Sequence, residues 1–434
     1  MNQIGFKGYS IPLDSGIDIS RIKSDLTVKP IENPNYESWE NKSFKVFRIS
    51  KTRIYVPRYY GLTNFGKCEV TFPEYSKIEV PFNGTLREIQ LTAVSETLKT
   101  YQEYYGGIVS LDTGLGKTVV ALKIISEIGL KTLIIVHAQF LLEQWIERIR
   151  TFLPTARIGI IRQDQCEYTD CDICVAMLQS IIKREYPEEC MRSFGHVTID
   201  ENHHLGSKTF SSIFFKVQAK YMLGLSATPD RKDGLSKVFY YFLGPQIVNI
   251  KRTSDKPEIL FIKNTEEYPE RLTRQGKANI PAMITDLTLC NTRNELILSL
   301  IQEYLLQHRK ILLLSHRRAH CLFLNESLKI LGIDSGVYLG GMKMNDRNDN
   351  VKKSVILGTY QASGEGFDVP ELDTLILSTP RSDVEQAVGR ILRQKNTNTP
   401  LVVDIADNGS IFKGQYYLRR KFYITSKFGI LKYS

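Results

Sequence analysis

The chain has 434 residues, 42% hydrophobic and 24% charged, which sets the expectation of a soluble globular protein with two or three domains, each able to bury its own core. No apolar run approaches the roughly 18–20 residues needed to span a bilayer, and the first residues lack the charged and apolar regions of a secretory signal, so no membrane association is expected. Seven scattered cysteines argue against a disulfide framework and fit a reducing, cytoplasmic compartment.

The net charge of +10 is unevenly placed. Residues 41–68 carry Lys42, Lys45, Arg48, Lys51, Arg53, Arg58 and Lys67 without an acid, and residues 410–434 carry Lys413, Arg419, Arg420, Lys421, Lys427 and Lys432 without one. Setting these thirteen aside leaves 44 basic against 47 acidic side chains, a nearly neutral remainder. Concentrated positive charge interleaved with aromatics is the footprint expected of a polyanion binder, and two solvated basic faces are the bland alternative.

In chain order, residues 1–82 show strand-like alternation at 44–50 and 53–57, with Pro57 closing the second run. A small β-rich accessory domain, expected to bind nucleic acid, fits this stretch. Pro81, Asn83 and Gly84 punctuate its boundary. Over residues 83–245 short apolar strands at 108–111, 132–136, 173–176, 197–199 and 222–225 alternate with helical segments, notably 117–128 with Gly129 as its stop. Residues 246–285, broken by Pro257, Pro269 and Pro281, read as a linker. The rhythm resumes over 286–434, with a helix about 294–307 and strands at 310–314, 355–358, 374–377 and 401–405. The fold class is therefore α/β, with two parallel-sheet domains of similar size preceded by the β-rich segment.

Residues 111–118, Leu-Asp-Thr-Gly-Leu-Gly-Lys-Thr, follow a strand and open a helix, the context of a phosphate-binding loop. Thr113, Gly114 and Gly116 form the loop, the glycines admitting backbone N–H groups to the phosphates. Lys117 can reach the β- and γ-phosphates, and the Thr118 hydroxyl can join a Mg²⁺ shell. Leu111 stands where the full loop pattern has its first Gly. Asp200, at a strand end, can hold Mg²⁺, and Glu201 can orient or deprotonate the attacking water. ATP and Mg²⁺ are thus the expected cofactors. Adjacent His203 and His204 lack a metal-ligand spacing, and Cys166, Cys171, Cys174 and Cys190 read as ordinary thiols. Arg419, Arg420, Lys421, Phe422 and Tyr423 suit either nucleic-acid contact or packing of a terminal helix.

The ordered series at 86–90, 111–118, 200–204, 226–228, 359–368 and 386–393 resembles superfamily 2 helicases and translocases. The stretches 223–234 and 382–393 are most similar to the XPB/UvsW-type branch, which includes viral and phage members. The resemblance covers about residues 85–434 and implies two tandem RecA-like domains. It assigns Gln90 to the adenine edge with Arg87 nearby. It implies that Gly366 and Asp368 approach the nucleotide from the second domain, that Arg390 and Arg393 stabilise γ-phosphoryl charge with Arg393 as arginine finger, and that Gln386 senses ATP. Ser226 and Thr228 would link hydrolysis to domain movement, while His137, Gln179, Arg317 and Thr359 would face the nucleic-acid backbone. Asn202 departs from the small residue usual before the histidine.

The resulting expectation is an ATP-driven, monomeric helicase or translocase acting on single-stranded and branched duplex DNA with 3′→5′ polarity. An RNA helicase or transcript-release factor would use the same motor. A nuclease motor subunit lacks a separate acidic constellation to support it, and a non-enzymatic module fits poorly with the presence of Lys117, Asp200, Glu201, Arg390 and Arg393.

Overall fold

Alternating apolar strands and helices build two parallel sheets in the computed structural model, which describes residues 1–29, 43–112, 114–200, 212–226, 234–250, 256–364, 367, 369–392 and 397–431. Contacts divide the chain into two units, Met1–Arg252 and Thr253–Ser434. The dividing point lies inside the expected linker. Residues on either side of it are strands: Gln246–Ile250 is the edge of the first sheet and Glu258–Lys263 lies within the second. The prolines and charges of 246–285 mark sheet margins and the start of the helix Ile280–Leu289, where Pro281 suits the first turn.

The first unit contains an eight-stranded sheet. Its spatial order is Gln165–Cys166, Ile158–Arg162, Ile173–Met177, Thr132–Val136, His196–Ile199, Tyr221–Ser226, Gly106–Leu111 and Gln246–Ile250. All neighbours pair in parallel except the terminal hairpin Ile158–Arg162/Gln165–Cys166. The helix Lys117–Ile128 buries Val120, Ala121, Ile124 and Ile125 on the sheet. It stops because Gly129 turns left-handed (φ 59°), its N–H bonding back to the Ile125 carbonyl at 3.1 Å.

The N-terminal segment forms a five-stranded, mainly antiparallel sheet from Gln3–Gly5, Gly8–Pro12, Arg48–Ile49, Arg53–Val56 and Glu69–Val70. It shares one continuous apolar core with the larger sheet, in which Ile4, Tyr9, Ile54 and Val56 join Leu133, Ile135, Val197 and Phe239. Arg58, counted above in the first basic stretch, is buried. Its guanidinium donates to the carbonyls of Tyr105 (3.1 Å), Lys220 (2.8 Å) and Ala219 (2.6 Å), capping the entry of two core strands. Burial lowers its pKa to about 10, which leaves it charged at neutral pH.

The second unit is built on a seven-stranded parallel sheet ordered Ser335–Tyr338, Val355–Thr359, Ile311–Ser315, Thr374–Leu377, Leu401–Ala406, Glu258–Lys263 and Gly429–Ile430. The terminal helix Ser410–Thr425 packs its Phe412, Arg419 and Tyr423 inward. Arg419 forks onto Asp404 at 2.7 and 2.8 Å, and the Tyr423 hydroxyl donates to the same carboxylate at 2.9 Å. Arg419 therefore belongs to the core. Among the described residues, no helix is long and apolar enough to cross a membrane.

Two buried histidines set an acid limit on these units. Thr132 gives its hydroxyl proton to the Leu130 carbonyl, so its oxygen accepts from His196 Nδ1, and His196 Nε2 accepts from Tyr101. His320 Nε2 donates to Asn294 Oδ1, and its Nδ1 accepts from Ser315. Burial depresses both imidazoles to about 3. Their folded pKa lies below the ordinary value of about 6.5, so the unfolded chain binds more protons between those values and stability falls as pH falls through that window. Urea unfolding at pH 7, 6 and 5 should show this loss. His196→Gln should flatten it by up to about 1.4 kcal/mol per pH unit; an unaltered slope would mean that His196 titrates normally in the folded protein.

Candidate nucleotide and nucleic-acid site

Because the first sheet is parallel, its carboxyl ends form one edge, the place where open α/β sheets bind ligands. Along that edge come Gln179 beyond Met177, His137 after Val136, Asp200 after Ile199, Ser226, and then the loop after Leu111. The sequence-derived residues of this unit that fall among the described ones are thus gathered on one rim. Thr113, Glu201 and Thr228 lie outside the described residues.

The loop is shaped by its glycines. Gly114 and Gly116 have φ of 83° and 87°, left-handed values that side chains rarely adopt. A Cβ on Gly116 would come within 2.4 Å of Gln90 Nε2. Leu115 between them is buried in the sheet's core and anchors the loop. Its carbonyl accepts from Gln90 Nε2 (2.9 Å) and Arg87 Nη2 (2.6 Å). Arg87 and Gln90 therefore brace the loop from the helix Glu88–Tyr104, where the sequence suggested adenine contact. Helix Lys117–Ile128 begins at once, so its first-turn N–H groups and positive dipole end point out of the loop. Lys117 and Thr118 are half-buried there.

Two hydrogen bonds to described residues hold Asp200. Its backbone N–H donates to the Ile135 carbonyl at 3.0 Å, and its Oδ2 accepts from the indole N–H of Trp145 at 2.8 Å. Trp145 lies on the helix Gln139–Phe152 and is 1% exposed. Sequence reasoning missed it, and its only signal was a lone tryptophan in the helix following the strand before His137. Ser226 is buried at the end of its strand. Gln179 Nε2 donates to the His137 carbonyl at 2.6 Å, joining two of the segments expected to face nucleic acid.

In the second unit, Thr359 ends one strand and its Oγ1 accepts from Ala362 N–H at 3.2 Å. Arg317 follows the neighbouring strand, its guanidinium donating to Thr285 Oγ1 (3.1 Å) and the Pro281 carbonyl (2.6 Å). Gln386 is exposed on the short helix Glu385–Val388. Arg390 is buried and donates to the Phe367 carbonyl at 2.7 Å. Gly366, Asp368 and Arg393 lie outside the described residues. A network the sequence did not suggest sits at the carboxyl ends of this second sheet's strands. Arg293 grips Asp407 in bidentate fashion (2.8 and 2.9 Å) and donates to the Ser378 carbonyl, while Asn264 donates to Asp407 at 2.8 Å.

A family model described as the res subunit of type III restriction enzymes matches residues 83–231. The "Putative ATP-dependent RNA helicase L396" of Acanthamoeba polyphaga mimivirus is 35% identical, over 96% of this chain and 83% of its own. The "Putative helicase 161L" of Invertebrate iridescent virus 6 is 28% identical, over 93% and 94%. The crystal structure of T4 UvsW aligns over 95% of this chain and 94% of its own at 20% identity, with a TM-score of 0.38.

The loop geometry has a direct test. Gly116→Ala combines a left-handed backbone, costing about 1–3 kcal/mol for a non-glycine residue, with a contact that displaces Gln90. Calorimetric titration with ADP should show affinity reduced about tenfold or more, while that strain lowers the melting temperature by several degrees and leaves the circular dichroism of the folded protein unchanged. Unchanged affinity would remove the loop from the nucleotide site.

Proposed function

The chain belongs to the superfamily 2 helicases, and from that premise we propose that it couples ATP hydrolysis to movement along DNA, unwinding or remodelling forks and junctions with 3′→5′ polarity. The observation that carries the reading is the shared rim of Asp200, Ser226 and the loop ending in Lys117 and Thr118, three successive strand ends of one parallel sheet. Helix N–H groups and Lys117 suit the phosphates of a nucleotide. The donor set of Thr118 hydroxyl and Asp200 carboxylate suits a hard cation of magnesium's class.

In this reading Thr118 and Asp200 hold Mg²⁺, which when bound neutralises charge on the transferring phosphoryl group. Lys117 binds the β- and γ-phosphates, and Glu201 takes a proton from the attacking water. Gln90 and Arg87 hold the loop through its Leu115 carbonyl. Arg390 and Arg393 carry the transition-state charge stabilisation that the resemblance implies. His137, Gln179, Arg317 and Thr359 supply sequence-independent backbone contacts.

The terminal helix adds a grip. Its outward face shows Lys413, Tyr417, Arg420 and Lys421, with Tyr417 63% exposed, combining cations for phosphates with a ring for base stacking. The N-terminal unit offers exposed Lys45, Arg48, Lys51 and Lys67. RNA is the second reading, favoured by the RNA helicase designation of the mimivirus relative.

Lys117→Ala should lower nucleic-acid-stimulated ATP hydrolysis by about 100-fold or more, since it removes a cation from the transferring phosphates. Hydrolysis that survives would remove the loop from the active site. Unwinding of forks, four-way junctions and RNA–DNA hybrids in parallel separates the substrates; activity confined to RNA-containing duplexes would replace the DNA reading. Combined Lys413→Ala, Arg420→Ala and Lys421→Ala should weaken binding alike for all sequences and reduce the salt slope by roughly two to three.

A further inference from the structure

We infer that Trp145 is a positioning residue for the metal-binding carboxylate, setting the orientation of Asp200 before a cation arrives; this rests on the reading that Asp200 holds Mg²⁺. A buried indole N–H needs an acceptor, and Trp145 finds Asp200 Oδ2 at 2.8 Å across 55 residues of sequence. The bond is well made and lies where the two elements converge. Trp145 comes from the middle of the helix Gln139–Phe152, locked among Leu141, Leu142 and Ile149 on its buried face. Asp200 comes from the end of the strand His196–Ile199, its own N–H held by Ile135 of the neighbouring strand. Main chain and carboxylate are both fixed by parts of the rigid fold.

The chemistry of the donor matters. An indole N–H carries no formal charge, so it orients one carboxylate oxygen without cancelling the negative charge a cation needs. An arginine or lysine in its place would compete with the metal. Outer-shell hydrogen bonds of this kind are typically worth about 10–100-fold in metal affinity or activity. The position is also informative. The helix starts two residues after His137, whose carbonyl Gln179 holds. One rigid helix thus runs from the rim segment at His137 to the carboxylate at Asp200.

Trp145→Phe in the full chain keeps an aromatic ring and removes the donor. The Mg²⁺ concentration for half-maximal ATP hydrolysis should rise by on the order of tenfold, and saturating Mg²⁺ should restore the rate to within about threefold. Binding of fluorescent ADP in EDTA should stay unchanged. An unchanged Mg²⁺ requirement would overturn the inference, as would a rate that high Mg²⁺ fails to restore. Asp200→Asn separates this from failure of the underlying reading, because a normal Mg²⁺ requirement there would mean that Asp200 is no metal ligand. A second measurement does not depend on how well the phenylalanine packs. Trp39→Phe leaves Trp145 as the chain's single tryptophan. Its emission should then change on adding Mg²⁺ to the ADP-bound protein, half-maximally at the Mg²⁺ concentration that half-activates hydrolysis. Emission that stays constant through that titration would overturn the inference.

Discussion

Parallel pairing in the first sheet is the constraint on which the site depends. It sends every core strand out at the same edge, so that Gln179, His137, Asp200, Ser226 and the phosphate-loop candidate are ordered by strand position alone. At about 4.8 Å per strand, the strand before Gln179 and the strand before the loop stand roughly 20 Å apart. No side chain bridges that span. Among the described residues, influence of the His137 end on the loop end can travel through the sheet or through the helix that begins at Gln139 and meets Asp200 at Trp145. The topology therefore separates the residues proposed to face nucleic acid from those proposed to face the nucleotide, and supplies a packed route between them.

The N-terminal segment is bound to this motor more closely than its composition suggests. Its Ile4, Tyr9 and Val56 lie in the same apolar cluster as Leu133 and Phe242, and Arg58 closes three carbonyls beside the core strands. Removing residues 1–82 would bare that cluster and leave those carbonyls without their donor, so truncation would disturb the sheet that carries the site. A role for the segment in binding is better approached through its exposed cations one at a time.

Local pattern was enough for the elements whose burial is complete. Thr132–Val136, Thr374–Leu377 and Lys117–Ile128 coincide with the strands and helix expected, because unbroken apolar runs and a glycine stop leave little choice. Ile158–Arg162 escaped notice because Gly159 interrupts it. That glycine is required by packing, since a Cβ there would lie 2.0 Å from the Glu167 carbonyl oxygen. The edge strand 246–250 and the interior strand 258–263 escaped because the prolines and charges flanking them look like a linker. Within the site, the loop was legible since its conformation is dictated by Gly114 and Gly116. The partners that hold it were not. Trp145 to Asp200 spans 55 residues and Arg293 to Asp407 spans 114, and no local periodicity records such pairings.

The same distinction divides the basic charge. A charge count along the chain gives every cation equal weight, but counterion release depends only on those that can reach phosphate. Arg58 and Arg419 cannot, being enclosed by carbonyls and by Asp404. Arg53 is partly committed, donating to the carbonyls of Met1 and Ser10. Yet Arg419 still shapes the surface. Its fork onto Asp404, completed by Tyr423, fixes the rotation of the terminal helix about its axis. Residues 413, 417, 420 and 421 recur at spacings of three and four, so the rotation that buries Arg419 turns Lys413, Tyr417, Arg420 and Lys421 outward together. A buried ion pair is weak evidence for stability when set against an apolar packing of equal volume. Here its consequence is geometric: one cation spent in the core determines which cations, and which aromatic ring, the helix presents.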